Sequence, residues 1–272
     1  MKERFKIACA ALLTVILVAG CGCGGGGDSG GNAAKQPAGQ PQAAPPAGGT
    51  PAPAAGGQTV TLSGKINLEG TPPKRSTIKV SAEPLCAKQH TEPFLSEDVL
   101  VSDTGMLKNV FVYVKTGLEG QTFDTPTEPV VFDQKGCQYS PHVFGIMVNQ
   151  PFKILNSDPV MHNIHALPKT GEFNLGMPRQ GMAFEKKFPE AQVPVHIKCD
   201  VHPWMSAYCG VMTHPFFAVT DDSGHFEIKN LPAGTYTIEA WHEKFGTQTS
   251  TVTVGTTPTQ EVNFTFKVAV GT

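Results

Sequence analysis

The stretch from Cys199 to Met205, which reads CDVHPWM, constrains the fold of this chain more than any other part of the sequence. It places a thiolate, an imidazole and a thioether on one tight loop in a C-x2-H-x2-M pattern, and these soft donors suit copper better than a hard ion. A further ligand is needed, and the best source is the stretch Met161 to His165. Because His162 lies 37 residues before Cys199, such a site can form only if the chain folds back across a sheet.

Length and composition limit the number of domains and the classes of partner that the chain can have. The chain has 272 residues, of which 29 are Gly and 23 are Pro, and only 16% are charged. This is enough for one or two modest domains together with disordered sequence. The formal net charge is -2, and no run of Lys or Arg follows the N-terminus. We therefore expect no nucleic-acid partner.

The N-terminal residues 1–20 are typical of an export signal. Basic side chains at Lys2, Arg4 and Lys6 precede an apolar stretch, residues 7–18, that is short for a membrane span. Small residues follow it. The sequence predicts that this segment directs export and is then removed.

Residues 18–21, Val-Ala-Gly-Cys, resemble a bacterial lipobox. That resemblance implies cleavage before Cys21 and lipidation of Cys21, which would anchor the protein to a membrane. Gly22 follows the cysteine, as in lipoproteins that are sent to an outer membrane. We expect a protein that is exported, periplasmic or at the cell surface, and lipid-anchored to a bacterial membrane, with the outer membrane favoured. The alternative is an ordinary secretory signal that happens to precede a cysteine.

Residues 21–58 consist almost entirely of Gly, Ala, Pro, Gln and Ser, which predicts a disordered tether. From residue 59 onward, short runs rich in Val, Ile, Thr and aromatic residues alternate with turn-forming residues. Helical periodicity is scarce. The sequence therefore predicts an all-β fold of antiparallel sandwiches, with strands near residues 60–66, 77–80, 109–114, 151–155, 193–197, 216–219, 236–241 and 249–254.

Six cysteines follow the one in the predicted signal. In an exported chain, cysteines tend to pair. If Cys199 binds a metal, Cys86 and Cys137 are the natural partners of a disulfide. The alternatives are a Cys86–Cys209 bridge, a Cys137–Cys209 bridge, or a second metal site that uses His90 and His142.

The candidate ligands could also have a purely structural role, because a buried Cys or Met is often only part of a hydrophobic core. Cys199, however, follows Val195 and Ile197 in strand alternation, so its side chain shares their inward face. The remaining donors follow on the loop that leaves this strand. Zinc is the alternative metal, but a structural zinc site has four strong ligands, and a thioether is not one of them.

Residues 195–211 resemble the last strand-loop-strand of the cupredoxins, and the Cys-x-x-His-Pro-aromatic-Met order is similar to that of amicyanin and plastocyanin-like members. Residues 139–165 resemble the cupredoxin run that leads to its first ligand histidine. The resemblance covers about residues 130–212. It implies a Greek-key β-sandwich with one type 1 copper, whose trigonal ligands are His162, Cys199 and His202 and whose weak axial ligand is Met205.

The same resemblance implies that Asn163 connects the two ligand loops. It also implies that the imidazole edge of His202 is exposed, with Pro203 and Trp204 around it, and that electrons enter and leave at this patch. Some alternatives stay open. His165 could replace His162, and Met161 or Met212 could replace Met205; Cys209 is expected to be a core thiol.

Residues 220–228 and 231–240 resemble the second half of a carboxypeptidase regulatory-like domain, and residues 60–72 with 109–114 resemble its first half. We expect the copper domain, residues 123–213, to be inserted into this second small β-sandwich. The flanking halves would be residues 59–122 and 214–268. A tandem arrangement is the alternative.

The expected function is that of an exported, lipid-anchored blue copper protein that transfers single electrons and is not an enzyme. Its partner would be a redox protein such as a c-type cytochrome or a respiratory complex. Two other functions stay open. One is a copper-binding or copper-delivery lipoprotein without electron transfer, and the other is a surface binding or adhesion module on a cupredoxin scaffold.

Overall fold

A computed structural model describes residues 59–255 and 257–268. The predicted signal, the tether and the lipidation site at Cys21 lie outside these residues. In the part of the chain that is described, the regular structure is β-strand apart from one short helix, which confirms the all-β fold. No helix among the described residues is long and apolar enough to cross a membrane.

The elements follow one another in the order β1 (Thr59–Glu69), α1 (Pro84–Ala87), β2 (Phe111–Thr116), β3 (Val130–Gln134), β4 (Tyr139–Ser140), β5 (Val143–Met147), β6 (Phe152–Asn156), β7 (His162–Leu167), β8 (Phe173–Met177), β9 (Ala183–Lys186), β10 (Gln192–Lys198), β11 (Ser206–Met212), β12 (Phe217–Val219), β13 (His225–Pro232), β14 (Gly234–His242), β15 (Gly246–Val254), β16 (Thr259–Glu261) and β17 (Phe264–Lys267). The strand predicted at residues 77–80 is wrong. Only Thr77 pairs there, in an isolated bridge to Leu95, and the residues after it form an irregular loop.

One sandwich is built from the two ends of the described chain. Its first sheet has the order β13-β1-β16, with β17 also paired to β1, and its second sheet has the order β12-β2-β14-β15. Alternate residues of β1 are buried against a core that both sheets share, as expected for strands with one face covered. The pairing of β1 with β13 and of β2 with β14 supports our proposal that residues 59–122 and 214–268 form one interrupted domain.

The other sandwich holds the second core. Its sheets have the orders β5-β11-β10-β7-β8 and β4-β3-β6-β9. Strands β7 and β10 are antiparallel neighbours, with Lys198 opposite His165 and Ile197 opposite Ala166. The start of β7 therefore lies beside the end of β10, and the two stretches that carry the candidate ligands meet at one end of this sheet.

The two sandwiches meet at the ring of Phe111. This ring lies against Gly145 of β5 and Gly210 of β11, two glycines that face each other in the sheet. A methyl group at Gly210 would overlap the Phe111 ring, so the contact needs a residue without a side chain. A buried ion pair between His142 and Glu243 adds to the joint.

We expect Gly210→Ala to destabilise the protein by about 1–3 kcal/mol, because the new methyl group must displace a fully buried ring. Chemical denaturation would measure this loss. Gly176→Ala is the matched control, since a methyl group there would meet only the end of Met161 at an ordinary 3.7 Å and should change stability by about 0.5 kcal/mol or less. Equal effects of the two substitutions would contradict this packing.

We also expect the folded protein to lose stability as the pH falls, because of the buried side chain of His214. Its ring is buried, with Nε2–H donating to the Val114 carbonyl at 2.9 Å and Nδ1 accepting from the Phe216 N–H at 3.2 Å. Burial lowers the pKa of His214 from 6.5 to about 4. Between these two pH values His214 is protonated in the unfolded chain but not in the folded protein. The free energy of unfolding therefore decreases as the pH falls from 6.5 to 4.

We expect His214→Gln to flatten this pH dependence, with roughly 2–3 kcal/mol less loss between pH 6.5 and 4 than in the unmodified protein. Urea denaturation at several pH values would measure it. His225→Gln, on the partly exposed β13 histidine, is the control. If the two variants show the same slope, His214 is not the responsible group.

Candidate metal centre

Three predicted ligands come together in the second core. His162, Cys199 and His202 are 0%, 3% and 2% exposed, and each offers a ligand atom within 4.8 Å of the other two. The Nδ1 atoms of His162 and His202 lie 2.9 Å apart, and Cys199 Sγ lies 3.9 Å from His202 Nδ1. Two imidazoles and a thiolate in a buried cluster form a donor set that fits copper.

The backbone explains why these side chains converge. His162 is the first residue of β7, and Cys199 directly follows β10. The ligand loop is closed by a hydrogen bond from the Cys199 N–H to the Met205 carbonyl at 3.1 Å and by one from the Met205 N–H to the His202 carbonyl at 2.9 Å. Met205 is buried in the same core as Cys199. Its role as the axial ligand stays a prediction.

Asp158 fixes the orientation of His162. The His162 Nε2–H donates to Asp158 Oδ2 at 2.9 Å, and the carboxylate also accepts from the backbone N–H groups of Gly136 and Cys137 at 2.8 and 2.7 Å. Burial alone would raise the pKa of Asp158, but these hydrogen bonds lower it overall. With Nε2 held in this way, Nδ1 of His162 is free to face the centre, a common arrangement for metal-binding histidines.

The surroundings of Cys199 favour its thiolate. Burial raises the pKa of this thiol, but hydrogen bonding with His162 and with nearby backbone groups lowers it below the usual value overall. The His202 N–H donates to Cys199 Sγ at 3.3 Å. Burial is the main cause that lowers the pKa of His202, which favours its neutral imidazole. Burial acts in the same direction on His162, but hydrogen bonding with Asp158 and Cys199 raises the pKa of His162 overall. A deprotonated thiol and a neutral imidazole are the forms that bind metals.

Asn163 connects the two stretches that carry the ligands. Its Oδ1 accepts from the Asp200 N–H at 2.7 Å and lies 3.2 Å from Cys199 Sγ, and its Nδ2 donates to Asn174 at 2.7 Å. The side chain therefore joins the start of β7 to the ligand loop. Contacts of this kind fix the position of a sulfur ligand.

The prediction that the imidazole edge of His202 is exposed is wrong, because the side chain is buried. Cys86 Sγ lies 3.9 Å from His202 Nε2, and Glu83 Oε2 lies 4.0 Å from it. Cys86 is bonded to Cys137 in a disulfide, which holds this cover in place. Pro203 is exposed and Trp204 is partly exposed, so the predicted electron-exit patch reaches the surface without the histidine edge.

The competing ligands are engaged elsewhere. His165 places its two ring nitrogens 2.9 Å from carboxylates of Asp200 and Glu172 at the surface. Met161 is exposed. Met212 packs in the cluster between the sandwiches, and Cys209 is a buried thiol whose pKa is raised by burial. His90 donates to the Gly136 carbonyl, and His142 pairs with Glu243.

Two functional residues were missed in the sequence. Asp158 lies four residues before His162, a spacing that gave no signal because the pair meets across a loop and not on a helix. Asp158 and His162 also group with Cys137, but that sulfur belongs to the disulfide. The contact between Cys86 and His202 was missed as well, because residues 116 positions apart meet only through the fold.

We expect Asp158→Asn to weaken copper binding by about 10–100-fold, because the charged acceptor that orients His162 is lost. Competition with a chelator of known affinity would measure it. Asp133→Asn is the matched control, since Asp133 accepts from Ser157 and contacts no candidate ligand. Equal losses in both variants would contradict the role of Asp158.

Comparisons with known proteins give two kinds of result. The family model of the carboxypeptidase regulatory-like domain matches residues 212–267. No curated protein matches the chain. Among solved structures, the chain is similar to a purple cupredoxin from Nitrosopumilus maritimus, with 26% identity over 30% of this chain and 97% of that one, and a TM-score of 0.26.

It is also similar to an amicyanin mutant in the Cu(I) form, with 22% identity over 32% of this chain and 86% of that one. A copper-containing nitrite reductase from Thermus scotoductus SA-01 is 20% identical over 34% of this chain and 24% of that one. Both TM-scores are 0.28, too low to bear on the site. The chain thus contains a carboxypeptidase regulatory-like segment at residues 212–267 and is similar to cupredoxins over about a third of its length.

Proposed function

We propose that this chain is a blue copper protein that transfers single electrons. The observation that carries the proposal is the buried convergence of His162 Nδ1, His202 Nδ1 and Cys199 Sγ. The ligands of the proposed copper are these three residues, with Met205 as the weak axial donor.

The donor set supports electron transfer over simple carriage. Copper held by two imidazoles, a thiolate and a distant thioether exchanges one electron with little rearrangement of its ligands. The chain contributes the rigidity that this requires. Asp158 holds one imidazole, Asn163 holds the sulfur loop, and both sheets of the sandwich pack around them.

The closure of the centre supports an electron carrier and not an enzyme. All three residues are at most 3% exposed, so the ligand atoms face away from solvent. A catalytic metal site needs an open position for substrate or water, whereas an electron can cross a thin layer of protein.

We further propose that the protein acts outside the cytoplasm, on a lipid anchor at Cys21, and that its partner is another redox protein. The sequence of residues 18–21 supports the anchor. The disulfide between Cys86 and Cys137 supports an oxidising compartment, because cytosolic thiols are kept reduced.

Optical and electron paramagnetic resonance spectra of the Cu(II)-loaded protein test the function. We expect an intense visible thiolate-to-copper band with narrow copper hyperfine splitting, and we expect Cys199→Ser to abolish both. Cys209→Ser is the matched control, since that buried cysteine lies outside the cluster and its loss should leave the spectrum unchanged.

A colourless Cu(II) protein, or a spectrum that is indifferent to Cys199, would contradict electron transfer. In that case copper carriage without electron transfer, or a role as a binding module, would be the better reading. Preference for Zn(II) over copper with four strong ligands would point to a structural metal site.

A further inference from the structure

A loop from outside the sandwich of β3 to β11, called the copper sandwich below, lies over the proposed metal centre. Residues 78–94, called the cover below, contain α1 and are closed at their base. The Ile78 N–H donates to the Phe94 carbonyl at 2.7 Å, and Thr77 bridges to Leu95. The ends of the cover are therefore close together, as in other compact surface loops.

The cover contacts the centre through Cys86 and Glu83. Cys86 Sγ lies 3.9 Å from His202 Nε2, and Glu83 Oε2 lies 4.0 Å from the same atom. These two side chains occupy the side of the imidazole that faces away from Cys199. Together with the rings of His162 and Trp204, they bury His202 to 2% exposure, although this histidine lies on a surface loop between Val201 and Pro203, which are both exposed.

The cover is held by a disulfide, by side-chain hydrogen bonds and by packing of Val80 against the second core. The main contact is covalent, because Cys86 is bonded to Cys137, 51 residues away. Outside the cover, the Trp204 Nε1–H donates to the carbonyl of that same Cys137 at 3.0 Å and so positions the far end of the disulfide. His90 adds a hydrogen bond to the Gly136 carbonyl at 2.8 Å and stacks on Phe94.

The other walls of the centre are less free to move. His162 lies on β7, which is paired on both sides, and Cys199 follows β10, which is also paired on both sides. Segments with few backbone hydrogen bonds to a sheet open at lower free energy than paired strands do. Between the paired strands and the cover, the cover is therefore the wall that opens at the lower free energy.

We propose that the cover is the gate through which copper reaches the centre, and that the Cys86–Cys137 disulfide keeps this gate closed. The proposal rests on the proposed copper function for its ligand. The opening of the gate itself is a property of the metal-free chain. If the gate works in this way, the disulfide controls the access of metal to the centre in addition to stabilising the fold.

Chemical labelling of the metal-free, full-length protein tests the gate. His202 reactivity toward diethyl pyrocarbonate would be measured by peptide mass spectrometry in the unmodified protein and in Cys86→Ala/Cys137→Ala. We expect His202 to react at least about tenfold faster in the double variant, because loss of the crosslink favours the open loop. The partly exposed His225 of the other sandwich is the internal reference, and its rate should not change.

Phe94→Ala provides a second variant that keeps the disulfide. It removes a buried ring that stacks on His90, so we expect a smaller acceleration at His202, roughly threefold. Accelerated labelling at His225 would identify a double variant that no longer folds, and Phe94→Ala then decides the question. Unchanged His202 reactivity in the folded variants would overturn the gate.

Copper uptake separates the two proposals. If the gate is correct, the visible band should develop at least about tenfold faster in the double variant after Cu(II) is added. Faster labelling of His202 without any visible band would contradict the copper function and leave the cover as a shield of His202. A normal band with unchanged labelling and uptake rates would overturn the gate and leave the copper function in place.

Discussion

The antiparallel pairing of β7 with β10 is the constraint on which the centre depends. Hydrogen bonds between residues 165–167 and 196–198 place the start of one strand beside the end of the other. A shift by one residue would turn the side chains of either strand to the opposite face, and His162 and Cys199 would then no longer meet. The geometry of the centre is thus a consequence of strand register, which the buried faces of both sandwich sheets enforce.

Much of this arrangement could be predicted from the sequence, because local patterns carry it. The C-x2-H-x2-M spacing of the ligand loop, the inward alternation that ends at Cys199 and the turn residues between short strands all reflect short-range geometry. Asp158 could not be found in this way, since nothing in the spacing of a carboxylate and a histidine across a loop predicts that they meet. The covered edge of His202 was missed for a related reason. Its neighbour Cys86 comes from a distant part of the chain, and only the packing of the whole fold brings them together.

The contact between the sandwiches shows how two cores are joined without merging. Phe111 belongs to a strand of the first sandwich, yet its ring rests on backbone of the second, where Gly145 and Gly210 pair. Around it lies only a small apolar cluster. The His142–Glu243 pair contributes a polar contact at the same joint, and burial of both partners makes it costly to separate them.

The origin of the cover has a consequence for modularity. Residues 78–94 precede the copper sandwich in the chain and connect two strands, β1 and β2, of the neighbouring sandwich. A fragment cut at residues 123–213 would keep every proposed ligand but would lose the piece that shields one of them. Exchange of residues 123–213 alone would therefore transfer the proposed ligands without the loop that covers His202. The part of the chain that forms the complete centre, including its cover, is therefore larger than the domain that contains the proposed ligands.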